Sequence, residues 1–423
     1  MKKFAAIAFA LLPLFGIAQE EKDFGIKFSG FVKNDAFFDS RQVTSAREGH
    51  FLLYPNAESL DVDGVDINAT PSFNMLAIQT RLTGKITGPD AFGAKTSGVL
   101  EGAFFGHTDA DINGFRLRHA FVKLNWEKSE LLLGQYWHPM FVPECFPNVM
   151  SFNTGVPFQP FSRNPQIRFT YSVTPKIRIM AAALAQRDFA SPGGSTSLRN
   201  SPVPDMQLQF QYGDKKEGLL AGLTGGYKML RPRLVTDSMY KADELVAAMS
   251  AQVFLTYRTE KYTCRLEGVY GQNMYDLLML GGYAVKYDTL ATNLAVDHRE
   301  YTPLNTMSAW FEFQTNGKKL QAGLFGGYTL NMGSDNNIRS WSSASSYSAR
   351  GANIHHVYRV SPRVVLISGK VKFALEGEYT VAGYGNTRNS LGEVLTGPTT
   401  DYPDAELKEV ANIRALFSVI YSF

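Results

Sequence analysis

Nine basic residues (Lys27, Lys33, Arg81, Lys85, Arg168, Arg178, Arg265, Lys372 and Arg414) stand on the polar parity of segments whose alternate positions are apolar. Six acidic residues do the same: Asp35, Glu101, Glu267, Glu312, Glu376 and Glu378. Within that set Arg81, Arg168, Arg178 and Arg265 are the candidates for holding ions, with Glu101 and Glu267 as acidic counterparts. Fixed charges on a water-facing wall raise the local concentration of counter-ions. Nucleophilic and metal chemistry find weaker footholds. Asp109, Asp111, Asn113 and Gly114 begin like a calcium loop, but Ala120 stands where the bidentate acid belongs. None of His50, His107, His119, His138, His298, His355 and His356 falls in a recognisable nucleophile signature, and a Ser–His pair would also need an orienting third group. The glycines of "AGLTGGY" alternate within an extended segment with no helix after it, so they do not form a phosphate cradle. The expectation is a chain with no catalytic residue, no cofactor and no metal.

One long stretch complements these charges. Residues 138–165, "HPMFVPECFPNVMSFNTGVPFQPFSRNP", carry Glu144 and Arg163 as their only formally charged side chains. Long connections without secondary structure are usually functional. Met140, Phe141, Phe146 and Phe158 would be awkward on an exposed rim, so the loop is expected to fold inward. Glu144 and Arg163 would then lie near the narrowest point.

The elements that position these residues are strands. "MQLQFQY" sets Met206, Leu208, Phe210 and Tyr212 against three glutamines, and "LLAGLTGGY" and "LQAGLFGGY" repeat nearly the same pattern. Period-two alternation of this kind marks strands with one face in an apolar medium. Sixteen such segments run from 25–39 to 409–423, among them 73–87, 115–127 and 354–367. Tight polar breaks such as "EKSE", "TPK" and "TEK" alternate with long ones such as 40–72, 138–165 and 274–303. A sandwich gives no reason for that asymmetry, whereas a transmembrane barrel has short turns at one end and long loops at the other. On the apolar parity Trp126, Tyr171, Tyr212 and Tyr257 close one end of the strands, and Tyr227, Tyr270 and Tyr328 the other. Two aromatic rings around an apolar band are the girdles of such a barrel. In lipid an open sheet edge would leave backbone groups unpaired, so the fold class is all-β, a closed antiparallel transmembrane barrel. Arg116 and Arg118 fall on the lipid parity, which would place them above the membrane.

The termini fit that reading. "MKKFAAIAFALLPLFGIA" has a basic start and an apolar core too short to span a membrane, so residues 1–18 are expected to be a secretory signal and 19–423 one barrel domain. Without Lys2 and Lys3 the remainder carries 40 basic and 39 acidic residues, which argues against a nucleic-acid partner. Cys145 and Cys264 are too few for a disulfide framework. "LFSVIYSF" ends the chain as a strand whose apolar face finishes on Tyr421 and Phe423.

The stretches "GFVKNDAFFD" (30–39), "GFRLRHAFVKL" (114–124), "LLLGQYW" (131–137) and "FALEGEYTVAGYG" (373–385) resemble trimeric sixteen-stranded porins of Gram-negative outer membranes, and within them the DcaP-like group. The resemblance implies a homotrimer in outer-membrane lipid and lipopolysaccharide. It also implies passive diffusion of small hydrophilic solutes and ions, with a weak preference for anions such as dicarboxylates. Tyr421 and Phe423 would serve as the signal read by barrel-assembly machinery. Two other readings stand beside it: a barrel that displays loops for surface adhesion, and a barrel hydrolase.

Overall fold

The computed structural model describes residues 24–106, 108–185, 194–287, 297–339 and 347–423. The proposed signal segment and His107 lie outside them. Sixteen antiparallel strands form the wall. They are β1 (Gly25–Asp39), β2 (Ser72–Leu76 continued by Arg81–Thr87), β3 (Lys95–Ala103), β4 (Arg116–Asn125), β5 (Ser129–Trp137), β6 (Arg163–Ser172), β7 (Ile177–Leu184) and β8 (Asp205–Gly213). The second half comprises β9 (Gly218–Leu230), β10 (Val246–Arg258), β11 (Tyr262–Gln272), β12 (Tyr301–Thr315), β13 (Leu320–Ser334), β14 (Ile354–Ser368), β15 (Val371–Gly385) and β16 (Leu407–Ser422). Each pairs with the next, and β16 returns to β1 in register from Phe31↔Ser422 to Asp39↔Arg414. The seam is tight: a Cβ on Gly30 would meet the Arg81 carbonyl at 2.2 Å and the Phe423 ring at 2.9 Å.

Burial is inverted relative to a water-soluble sheet. On β8, Leu208 is 59% exposed while Gln207, Gln209 and Gln211 are 5–8% exposed. The glutamines point inward, Gln211 donating to Gln209, Gln209 to Thr224 and Gln207 to Asp205, which satisfies groups that a lipid-facing position would leave stranded. Tyr171, Tyr212, Tyr257, Tyr270, Tyr328, Tyr421 and Phe423 are all exposed on the outer wall. Tyr227 lies on that face too, opposite Met206 and Met249, and Trp126 sits at a tight turn with its indole N–H on the Phe92 carbonyl.

Two departures from simple alternation matter. β2 is one uninterrupted segment by pattern, but its ladder breaks over 77–80. Ser72–Leu76 pairs with β1, and the ladder to β3 begins only at Arg81↔Ala103. In β4 the register shifts between Glu101↔His119 and Gly102↔Leu117. An extra residue in a strand reverses which face later side chains occupy. Arg116 and Arg118 therefore point inward and are 5% and 2% exposed, not outward above the membrane as the strict parity of 115–127 implies.

Loop 138–165 lies inside the barrel. Its backbone is gripped by inward side chains around the wall. Gln252 donates to the Met140 carbonyl at 2.5 Å, Thr256 to the Glu144 carbonyl at 3.0 Å and Ser308 to the Phe158 carbonyl at 2.9 Å. The amides of Met150 and Ser151 donate to Glu376, each at 2.8 Å, and Arg359 donates to the Val156 carbonyl at 2.9 Å. Phe141, Phe158 and Phe161 bury themselves with Phe254, Trp310 and Phe325 of the wall, joined by Phe51 and Phe105 from other loops. Burying such side chains fully is worth roughly 1.5–3 kcal/mol each, so the loop is held by packing as well as by hydrogen bonds.

Candidate functional site

The loop packs mainly against β10–β16 and β1 and touches the other side only at its start, where Gln209 of β8 donates to the Pro139 carbonyl at 3.0 Å and Phe141 stacks on Trp137 of β5, so a space remains against β4–β8. A cavity of about 300 Å³ lies there between residues 139–144 of the loop and strands β4–β8. It extends to the tight-turn end, since Trp126–Lys128 and Lys215 belong to its lining. Five basic side chains (Lys123, Lys128, Arg168, Arg178 and Lys215) and three acidic ones (Glu127, Glu130 and Glu144) surround it.

The pairing of these charges decides their use. Lys123 is held by Glu130 at 2.9 Å, and Lys215 by Glu144 at 2.9 Å. Arg168 donates instead to the Trp137 carbonyl at 2.5 Å and to Gln166 at 2.9 Å, and lies 5.1 Å from the Tyr136 ring centre. Arg178 donates to Gln211 at 3.2 Å and to the Gly213 carbonyl at 3.2 Å. Among the described residues neither guanidinium has a carboxylate within ion-pair distance. Neutral acceptors orient them without cancelling their charge. Glu144 is the loop's carboxylate on the opposite side.

A second cluster gathers above it, at the long-loop ends of β3–β6. Glu101 accepts from Arg118 at 2.8 Å and from Thr83 at 2.7 Å, with Arg81 at 3.6 Å and His119 at 3.9 Å. Arg163 stacks among Phe105, Trp137 and Phe161, 5.3–5.7 Å from their ring centres. The loop's two charged residues are therefore apart, Arg163 buried at its base and Glu144 beside the tight turn. Arg265 and Glu267 lie behind the loop. Arg265 meets Glu312 at 2.5 Å, and Glu267 is 1% exposed opposite Trp310.

Of the eight charged candidates in the sequence, then, Arg168, Arg178 and Glu144 share the cavity. Arg81, Glu101 and Arg163 form the cluster above, and Arg265 and Glu267 are covered. Lys123, Glu130, Tyr136 and Lys215 join the cavity without having been singled out, though Lys123 and Tyr136 sit on strands already assigned. Arg359 and Arg363 also stand on an inward polar parity, with Ser361 between them and Val360 and Val364 outward, and belong with the wall charges although they were not among the candidates. Both cysteines are free, and burial pushes the Cys145 thiol up to about 12, so it is not a poised nucleophile.

No known family model and no curated protein matches the sequence. Solved structures do. The outer membrane channel DcaP of Acinetobacter baumannii superposes with a TM-score of 0.67 at 16% identity, covering 95% of this chain and 97% of that one. The anion-selective porin from Comamonas acidovorans gives 0.53 at 9% identity, over 95% and 100% of the two chains. OmpT of Vibrio cholerae in its trimer form gives 0.53 at 9%, over 95% and 99%. The likeness spans nearly the whole of both chains in each case. With its apolar outer band, polar interior and closed wall, the chain has the fold of the outer-membrane porins and is an outer-membrane β-barrel protein.

Proposed function

We propose that the protein is a passive diffusion channel for small hydrophilic solutes, with a weak preference for anions such as dicarboxylates. The observation that carries this is the contrast in charge pairing inside the barrel. Arg265 and Arg363 meet Glu312, Arg359 meets Glu378 and Arg414 meets Asp39, all behind or beside the loop. Arg168 and Arg178 alone among these arginines face the cavity with neutral acceptors only. A permeating carboxylate gains two charge-assisted contacts there and leaves without breaking a buried ion pair. Selectivity then follows from wall charge and width, with no turnover.

The zero-current potential across a planar bilayer under a KCl gradient tests this reading. Wild type is expected to be weakly anion-selective, losing preference in high salt as the screening length falls from about 10 Å at 0.1 M to about 3 Å at 1 M. Arg168→Glu with Arg178→Glu should reverse the sign. A cation-selective wild type, or an unchanged potential in the double variant, overturns it. A barrel that conducts no ions would favour the adhesion reading, and hydrolytic activity lost with a single Ser or His substitution the hydrolase.

The same proposal includes a leader at 1–18, delivery by barrel-assembly machinery reading Tyr421 and Phe423, and a homotrimer. The trimer has support in β2. Irregular backbone and an open strand edge are not tolerated against hydrocarbon, yet the break at 77–80 and the edge of Ser72–Leu76 carry Phe73 and Met75, 66% and 57% exposed. A second copy would cover them.

A further inference from the structure

The outer rim of the barrel holds a histidine pair that takes no part in the lumen. β14 begins with a register shift between Ile354 and His356. The shift breaks the alternation that would send His355 and His356 to opposite faces, and it brings their Nδ1 atoms within 3.0 Å of each other. His356 is fixed on every side. Its ring lies between Tyr328 and Tyr358, with centroids 5.8 and 6.0 Å away and planes within 11° and 6° of parallel. Its floor is Gly383, where a Cβ would come to 2.6 Å from the imidazole Cε1. Its Nε2 meets the Glu409 carboxylate of β16 at 2.9 Å. Because a carboxylate accepts, Nε2 carries the proton and Nδ1 presents a lone pair toward His355.

We propose that His355 and His356 form a surface site for a divalent copper ion. A histidine ligand whose other nitrogen donates to a carboxylate is the usual arrangement at protein metal centres, since it fixes the tautomer and raises the basicity of the ligating nitrogen. The spacing selects the metal. With metal–nitrogen bonds of roughly 2.0–2.1 Å, nitrogens 3.0 Å apart subtend about 94° at the ion. That angle suits cis positions of a square-planar or tetragonal ion, whereas a tetrahedral zinc site would hold the nitrogens about 3.3–3.4 Å apart. Copper also stands highest in the affinity order for nitrogen ligands. Among the described residues no third His, Cys, Asp or Glu converges here, so water completes the coordination. Glu409 is half exposed, and His355 is partly exposed.

The test is titration of the folded, detergent-purified barrel with Cu²⁺, read by electron paramagnetic resonance with wild type and variants matched for heat-modifiable folded protein. A tetragonal signal with coupling to two imidazole nitrogens is expected at one equivalent, and loss of that signal in His355→Ala and in His356→Ala. Glu409→Gln keeps both ligands and should weaken binding about 10–100-fold. Because Glu409 is solvent-accessible, that variant tests the site even where a histidine variant fails to fold. The proposal falls if the double histidine variant binds like wild type, or if wild type takes up no copper because the two nitrogens merely share a proton. It falls equally if Zn²⁺ displaces Cu²⁺ at equal concentration, or if Glu409→Gln leaves affinity unchanged.

Discussion

The two sides of the barrel interior use the same residue types for different ends. Against β10–β16 the loop is packed down, and Arg265, Arg359, Arg363 and Arg414 of that wall each meet a carboxylate. Against β4–β8 the space is open, and Arg168 and Arg178 meet amides and carbonyls. A buried charge must be paired, because its desolvation costs several kcal/mol, whereas a charge beside water can stay uncompensated and act on what passes. The state of pairing, more than the number of arginines, separates framework from site.

The sharpest way to break this comparison is to unpair the covered side. Glu312→Ala strips Arg265 and Arg363 of their shared carboxylate and should destabilise the barrel by about 3–5 kcal/mol, seen as a lower temperature for loss of the folded band on gels. An unchanged temperature would mean water reaches those arginines and the loop does not seal that wall. Next comes the face itself. Leu266→Arg, on the outer face of β11 with 48% exposure, should cost about 2–4 kcal/mol in refolding into lipid. Thr170→Arg, in the cavity lining, should cost far less and change conductance instead, and equal losses would show the assigned faces to be wrong. A smaller effect is expected from Glu144→Gln. Losing its bond to Lys215 costs on the order of 1 kcal/mol or less but removes the cavity's loop carboxylate, so anion preference should rise measurably. A fall would reassign Glu144.

The smallest effect belongs to the outer loops. Asp297 is held down at about 2, with burial opposing and Arg233 and Arg299 bonded to it. Its folded value lies below the unfolded 3.8, so the stabilisation is present above that pH and is lost as pH falls toward about 2. Protection factors for amide exchange in residues 297–301, corrected for the intrinsic pH dependence of exchange, should therefore stay high at pH 5 and fall below pH 3. Equal protection at both would refute the pairing.

Much of this architecture is legible in the sequence, because lipid on one side and water on the other impose strict alternation on each strand. β8 shows it best, with its three inward glutamines. β14 keeps it too, with Arg359, Ser361 and Arg363 inward against Val360, Val364 and Leu366 outward, but the pairing of those arginines with Glu378 and Glu312 depends on neighbouring strands and is not written in the pattern. The alternation fails at the β4 shift, where one extra residue turns Arg116 and Arg118 inward. The loop's content of Phe and Met suggested infolding, but which wall it would choose depends on contacts such as Glu376 to Met150 and Ser151, more than 200 residues apart in sequence.

Those contacts have a bearing on evolution. The wall grasps the loop largely by amides and carbonyls, which every amino acid except proline supplies in full. Side chains at the loop surface, Glu144 above all, can therefore change from one descendant to another while the path of the chain stays put. A lineage could retune what its channel admits, one substitution at a time, without first having to rebuild the barrel around it.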